Sequence, residues 1–342
     1  MQLEGANTRN TLGAKPIQSG QGQTVQFEIF LSLGFCEHET SSITRTLSAA
    51  NETLGYSLFR TRFVSDTPGF VTSRGGLIVR AAPSIDNHGF SDVTIFVGGN
   101  TAAQNIPISR VRQLKKQGLC VVLLSDAATK YIEKTKSNTG AVTTHWKDAA
   151  ILRESGFHPG LTDRLAEKSD GVITAAGSGS TIELIIGLIS TYLDKPQIAQ
   201  LSNSLLLTTL RKGDAQQPNE FGGNEAIFNQ RVLKVILAME ENISEPISMQ
   251  EMTKIVGMST RQIERVFQDT FDQSPGKFYR LIRAKKARAL IEETLIPLVE
   301  IAVATGYGSV STMARTIRAE YGETPAQLRT RKNKDLMKFS KG

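Results

Sequence analysis

GMSTRQIERVFQDTFDQSP, residues 257–275, occurs in this chain in two versions. The second is GYGSVSTMARTIRAEYGETP (306–325); at an offset of 50, Ser259 aligns with Ser309, Ile263 with Met313, Arg265 with Arg315, Phe267 with Ile317, Phe271 with Tyr321 and Pro275 with Pro325. Just upstream, MQEMTKIVG (249–257) matches LVEIAVATG (298–306) at an offset of 49. Each half predicts a short helix, a turn opened by Gly257 or Gly306, and a second helix. That is the helix-turn-helix arrangement, whose second helix enters the major groove of DNA. Helical spacing turns Ile263, Phe267 and Phe271 inward, with Met313, Ile317 and Tyr321 their counterparts. Thr260, Arg261, Gln262 and Arg265 are left outward, as are Ser311, Thr312 and Arg315. Arginine can pair bidentately with a guanine edge, and glutamine with adenine.

Between the copies, PGKFYRLIRAKKARALIEE (275–293) predicts a connecting helix with Phe278, Leu281, Ile282, Ala287 and Leu290 on one side. Its basic residues, Lys277 and Arg280 first among them, are expected near phosphates. Charge supports a polyanionic partner. Residues 226–342 carry 19 Lys and Arg against 13 Asp and Glu, whereas residues 1–225 carry 21 against 20. The repeat resembles the DNA-binding domain of AraC/XylS-type transcription regulators over 227–331. The second half keeps Gly306-Tyr307, Ser309, Arg315, Tyr321-Gly322 and Pro325, while Met313 and Ile317 stand where the family has aromatics.

Ahead of this module the pattern alternates. VQFEIFLSL (25–33), SLFRTRFVS (57–65), DVTIFVGG (92–99), GLCVVLLS (118–125) and GVITAAG (171–177) read as strands. Helical stretches at 40–54, 106–117, 127–135 and 180–194 lie between them, which predicts a mainly parallel sheet covered on both faces. RKGDAQQPNEFGGN (211–224) reads as the start of a linker. The expected organisation is a disordered tail (1–23), an α/β domain (24–210), a linker (211–225), an all-α domain with two helix-turn-helix motifs (226–331) and a basic tail (332–342). Two cysteines make no disulfide framework, residues 1–23 lack the apolar core of a signal peptide, and no stretch approaches a membrane span. A cytoplasmic protein with no membrane partner is expected.

Ser125 and Asp126 sit where a strand turns into a helix, a place where several hydrolase folds present a nucleophile. With TTHW bringing His145 and Trp146 after it, the α/β part resembles the flavodoxin-like PfpI and class I glutamine-amidotransferase-like domains. Joined to the AraC-type module, it resembles the GlxA-like regulators over nearly the whole chain. Enzymatic relatives carry cysteine at the elbow; this chain carries serine, with Cys36 and Cys120 elsewhere. A serine hydroxyl needs a positioned base and an orienting third group, and no acid downstream of His145 supplies one; His158 is the next ionisable candidate beyond Arg153 and Glu154. Ser125 or Asp126 is therefore expected to cap the helix that begins at Ala127. No catalytic residue, cofactor or metal is expected, the Cys36-Glu37-His38 run being too small a ligand set.

In an open α/β sheet, ligands lie at the carboxyl ends of the strands. Gly98, Gly99, Ser125, Asp126, His145, Trp146, Gly177 and Ser178 are the candidates there. The GSGST turn could hold a carboxylate on free backbone N–H groups, and Trp146 could stack on a cation or simply fill the core. The resemblance implies a sequence-specific regulator of double-stranded DNA, an activator working with RNA polymerase as a homodimer, whose inactive PfpI-like domain senses a small, nitrogenous metabolite. The competing reading is a hydrolase using Ser125 and His145.

Overall fold

The computed structural model describes residues 24–84, 91–99, 106–135, 140–156, 160–218 and 228–330. The expected tails 1–23 and 332–342, residues 219–225 of the expected linker, and His158 lie outside the described residues. The chain divides into two units, residues 1–217 and 218–342.

In the first unit, Val25–Phe30 (β1), Val93–Phe96 (β5), Cys120–Leu124 (β6) and Val172–Ala175 (β8) are, apart from Gln26 and the Arg62- and Arg110-paired Glu28 of β1, runs of β-branched, apolar and aromatic residues, buried almost throughout. Such strands need cover on both faces. Glu37–Leu54 (α1), Thr181–Ile189 (α5) and Lys195–Ser204 (α6) pack Ile43, Leu47, Ile185, Ile189 and Leu201 against Phe27, Ile29, Ile95 and Val122. On the opposite face, Ile108–Lys116 (α2) and Ser125–Thr135 (α3) bring Val111, Leu114, Ala127 and Ala128 against Phe30, Phe96, Val121 and Leu123. Trp146–Ser155 (α4) completes the helices.

With Phe59–Ser65 (β2), Gly69–Thr72 (β3), Ile78–Pro83 (β4) and Ala166–Ser169 (β7), the sheet has eight strands in the order β3-β4-β2-β1-β5-β6-β8-β7. It is parallel from β4 to β8 and antiparallel at each outer edge. The sequence pattern yields five of the six parallel strands but not β4, nor the antiparallel β3 and β7, which are short and partly exposed and so carry little apolar signal. β7 and β8 form a hairpin through Asp170 (φ 51°) and Gly171 (φ 76°), the backbone a two-residue turn demands.

Residues 211–217, whose composition reads as linker, lie along the outer edge of this hairpin. Ala166 N–H donates to the Gly213 carbonyl (2.8 Å), Leu165 N–H to that of Ala215 (2.8 Å) and Gln217 N–H to that of Asp163 (2.7 Å). The Gln217 amide donates further to the Thr144 (2.7 Å) and Arg164 (2.9 Å) carbonyls. An open sheet edge offers backbone partners that a polar segment can use as well as a strand can.

The second unit is helical: Gln230–Glu241 (α7), Met249–Val256 (α8), Thr260–Phe271 (α9), Pro275–Glu293 (α10), Leu298–Ala304 (α11) and Val310–Tyr321 (α12). It has two cores. Ile263 and Phe267 of α9 pack with Val235, Ile236, Met239, Met252, Phe278 and Ile282. Met313 and Ile317 of α12 pack with Ala284, Ala287, Leu290, Ile291, Ile301 and Leu328. α10 thus gives its first half to one core and its second half to the other.

Candidate nucleic-acid interface and strand-end site

Each second helix of the repeat starts on a serine cap. Ser259 Oγ accepts from Gln262 N–H (3.3 Å) and Ser309 Oγ from Thr312 N–H (3.2 Å), fixing where α9 and α12 begin. Gly257 (φ 67°) and Gly306 (φ 69°) make the preceding turns. At Gly306 a Cβ would lie 2.5 Å from the Ile243 carbonyl, so only glycine fits there. The Arg283 guanidinium holds the same turn, donating to the Thr305 (2.9 Å) and Gly306 (2.5 Å) carbonyls and stacking 4.5 Å from the Tyr307 ring centre.

Thr260, Arg261, Gln262, Arg265, Ser311, Thr312 and Arg315 are all exposed, as are Lys277 and Arg280 on α10. Their availability differs. Gln262 Oε1 accepts from Ser259 N–H (2.8 Å) and Ser259 Oγ (3.1 Å), closing a capping box, so its amide oxygen is engaged before any adenine arrives. Arg265 makes a loose, exposed pair with Asp269 (3.6 Å). No hydrogen bond or ion pair holds the guanidinium of Arg261 or Arg315 among the described residues. Arg288, one of the basic residues of α10, is held internally by Glu292 (3.0 Å) and lies 4.6 Å from the Tyr321 ring centre.

The strand-end residues of the first unit gather around Glu39, a residue the sequence reading passed over. Glu39 lies in the first turn of α1, which begins at Glu37, three residues before the pattern predicts. It is buried, and its carboxyl accepts from Gly98 N–H (2.8 Å), Ser178 N–H (2.9 Å) and Ser125 Oγ (2.8 Å), groups that follow β5, β8 and β6. Burial pushes its pKa up, the three hydrogen bonds oppose this, and the charge of Asp126 adds to it. The carboxylate that the GSGST turn was expected to take from a ligand is here supplied by the protein. The fit is close: a Cβ on Gly98 would lie 1.8 Å from Ser125 Oγ, and one on Gly177 2.1 Å from Glu39 Oε1.

Ser125 is the first residue of α3 and stands at φ 37°, a left-handed backbone that costs a serine free energy. Its hydroxyl donates to Glu39, which replaces the expected helix-capping role, and its carbonyl accepts from Thr144 Oγ1 (2.9 Å). Asp126 accepts from Gly99 N–H (3.2 Å). Asp148 accepts from Thr129 Oγ1 (2.9 Å), and burial pushes its carboxyl up. His145 caps α4, its Nδ1 accepting from Lys147 N–H (3.3 Å); burial and the Lys147 charge push its pKa down. Trp146 is half-buried rather than a core residue, and Lys147 Nζ lies 5.4 Å from its ring centre. Burial pushes the Cys36 thiol up and that of Cys120 to about 11, so both stay protonated near neutrality. Among the described residues no group of three or more His, Cys, Asp or Glu side chains is placed to hold a metal ion.

Comparison with known proteins bears on both units. Residues 252–331 match the sequence model of a helix-turn-helix domain. The chain is 25% identical over 305 residues to the HTH-type transcriptional regulator CdhR of Pseudomonas aeruginosa, covering 88% of this chain and 90% of that one. It is 26% identical over 298 residues to the HTH-type transcriptional regulator GlxA of Rhizobium meliloti, covering 85% and 91%. A solved structure of an AraC family transcriptional regulator from Pseudomonas putida aligns with a TM-score of 0.44 and 17% identity, over 53% of this chain and 99% of that one.

Proposed function

From the premise that this chain carries an AraC-type helix-turn-helix domain and is homologous along most of its length to DNA-binding transcription regulators, we propose that it reads DNA with both α9 and α12 under control of a small molecule sensed by the first unit. The observation that supports two reading helices is that α10 belongs to both cores, so α9 and α12 are presented by one rigid element. Arg261, Arg265 and Arg315 are the base-reading candidates, with Thr260, Ser311 and Thr312 beside them. Lys277 and Arg280 serve phosphates, and Gln262 serves the cap more than a base. Activation through RNA polymerase, a homodimer and a cytoplasmic setting complete the reading, all by analogy with the relatives.

Mapping the DNA bound across the genome, followed by affinity measurements on the recovered site, tests this. Arg265→Ala and Arg315→Ala should each weaken binding by about 1–3 kcal/mol if each pairs with a guanine. Unchanged affinity in both would overturn those assignments. The strained backbone at Ser125 and its hydrogen bond to Glu39, whose pKa burial raises, are the observations that favour a hydrolase. But Glu39 is also engaged by Gly98 N–H and Ser178 N–H, and among the described residues no hydrogen bond joins Ser125 to His145, which caps a helix. We infer that the first unit does not catalyse hydrolysis. A serine-reactive fluorophosphonate that labels the native chain but not Ser125→Ala would show otherwise. Within the strand-end set, His145 Nε2, the Trp146 ring and the exposed Ser178 hydroxyl are among the groups that can meet a ligand.

A further inference from the structure

The first unit also holds a cleft of about 370 Å³, lined by β7, α5 and residues 210–214. Its size falls in the range of roughly 300–1,000 Å³ found for small-molecule sites. Leu165, Ala166, Leu184, Ile186, Ile198 and Leu210 give it an apolar lining, into which Glu183 with Arg211 and Glu167 with Arg164 set two ion pairs whose acids are buried and whose arginine side chains are exposed, with the exposed Lys168, Lys212 and Asp214 beside them. We propose that this cleft binds a small organic cation with an apolar body, a guanidinium or an alkylammonium, for which Arg211 is the built-in stand-in. The proposal rests on reading the first unit as a sensor.

Glu183 is 8% exposed, and every hydrogen bond it accepts among the described residues comes from Arg211: backbone N–H at 3.0 Å, Nε at 2.8 and 3.1 Å, and Nη2 at 2.5 Å. A carboxylate in an apolar wall is costly without a cation, so something positive must face it. Arg211 itself is 41% exposed and belongs to the segment that lies along β7. A ligand cation that takes over Glu183 keeps the buried charge paired and returns Arg211 to water. Its apolar body then gains the contacts of the cleft, which Arg211 does not fill. An anion in the wall would face two buried carboxylates, Glu183 and Glu167, while Arg164, Lys168 and Lys212 stand in water that screens their attraction, and a neutral molecule would leave Arg211 in place. Displacing Arg211 loosens residues 211–217, which run on in sequence to residue 218, where the second unit begins. The ligand thereby alters the connection to the DNA-binding unit.

The full-length protein, titrated calorimetrically with n-butylguanidinium and with n-butanoate and n-butanol as anionic and neutral probes of matched size, tests the proposal. Hydrogen exchange at the Leu165 and Ala166 amides, which donate to the strap carbonyls, reports release of residues 211–217. The cation alone should bind and speed exchange at both amides. Arg211→Ala should bind it about tenfold more tightly, because a resident occupant lowers the competent fraction. Glu183→Gln should weaken it about tenfold or more, the charge partner being gone. Absence of cation binding, equal binding by n-butanoate, unchanged affinity in Glu183→Gln, or weaker binding by Arg211→Ala would each overturn the proposal. Should Glu183→Gln unfold, the direction of the Arg211→Ala effect decides. Operator binding on the same samples separates the two readings: loss of the cation effects with DNA binding intact removes the cleft alone, and loss of sequence-specific DNA binding removes the regulator.

Discussion

Removing the Glu39 carboxyl strands Gly98 N–H, Ser178 N–H and the Ser125 hydroxyl in a buried place. Each buried donor left dry costs about 1–3 kcal/mol, so with water repairing some of the loss Glu39→Ala should destabilise the first unit by roughly 2–4 kcal/mol, read from the urea midpoint. A loss under half a kilocalorie would mean the three contacts are incidental. The sequence could not show this cluster because Glu39 and Ser125 are 86 residues apart, and an acid in a first helical turn reads as dipole complement. Ser125 itself was legible as a sharp strand-to-helix turn, while its partner was not. Gln262 shows the converse: Ser-x-x-Gln ahead of an apolar stripe is a capping signature visible in the sequence, but base chemistry draws attention first.

Single helices carry their own consequences. On α7, burial and then the neighbouring charge of Glu241 push the Glu240 carboxyl up from 4.5 to about 7. The folded helix then holds a proton that the unfolded chain has released. The stabilisation is therefore full below the unfolded value of 4.5 and is lost as pH rises through about 7. The thermal midpoint of the helical unit should fall between about pH 5 and pH 8, and Glu240→Gln should flatten that decline. A midpoint in Glu240→Gln that falls as steeply as in the native chain would assign the decline to another group. Helices of this unit were legible because their contacts are local and their pattern is stated twice. β3, β4 and β7 were not, since four to six half-exposed residues at a sheet edge carry almost no periodicity. Residues 211–217 read as linker because composition records flexibility and turn chemistry, not the open edge that receives them.

Across the whole chain, positive charge is concentrated in the part that carries the repeat, with 19 Lys and Arg against 13 Asp and Glu over residues 226–342. Binding should therefore depend steeply on salt, each phosphate neutralised contributing about −0.9 to the slope of log affinity against log salt. Lys277→Ala should weaken binding to all sequences alike and reduce that slope by about 1, whereas a base-reading arginine should change sequence preference as well. A Lys277→Ala slope equal to that of the native chain would remove it from the phosphate contacts. The backbone bonds from Leu165 and Ala166 to residues 213 and 215 also bear on solubility. They cover the outer rim of the β7–β8 hairpin, and a bare rim of unpaired amides is a template for strand addition by another chain. A chain whose strap has been loosened, as in Arg211→Ala, should scatter more light with time and concentration than the native one. The salt bridge at Glu183 would then guard against aggregation as well as hold a segment in place.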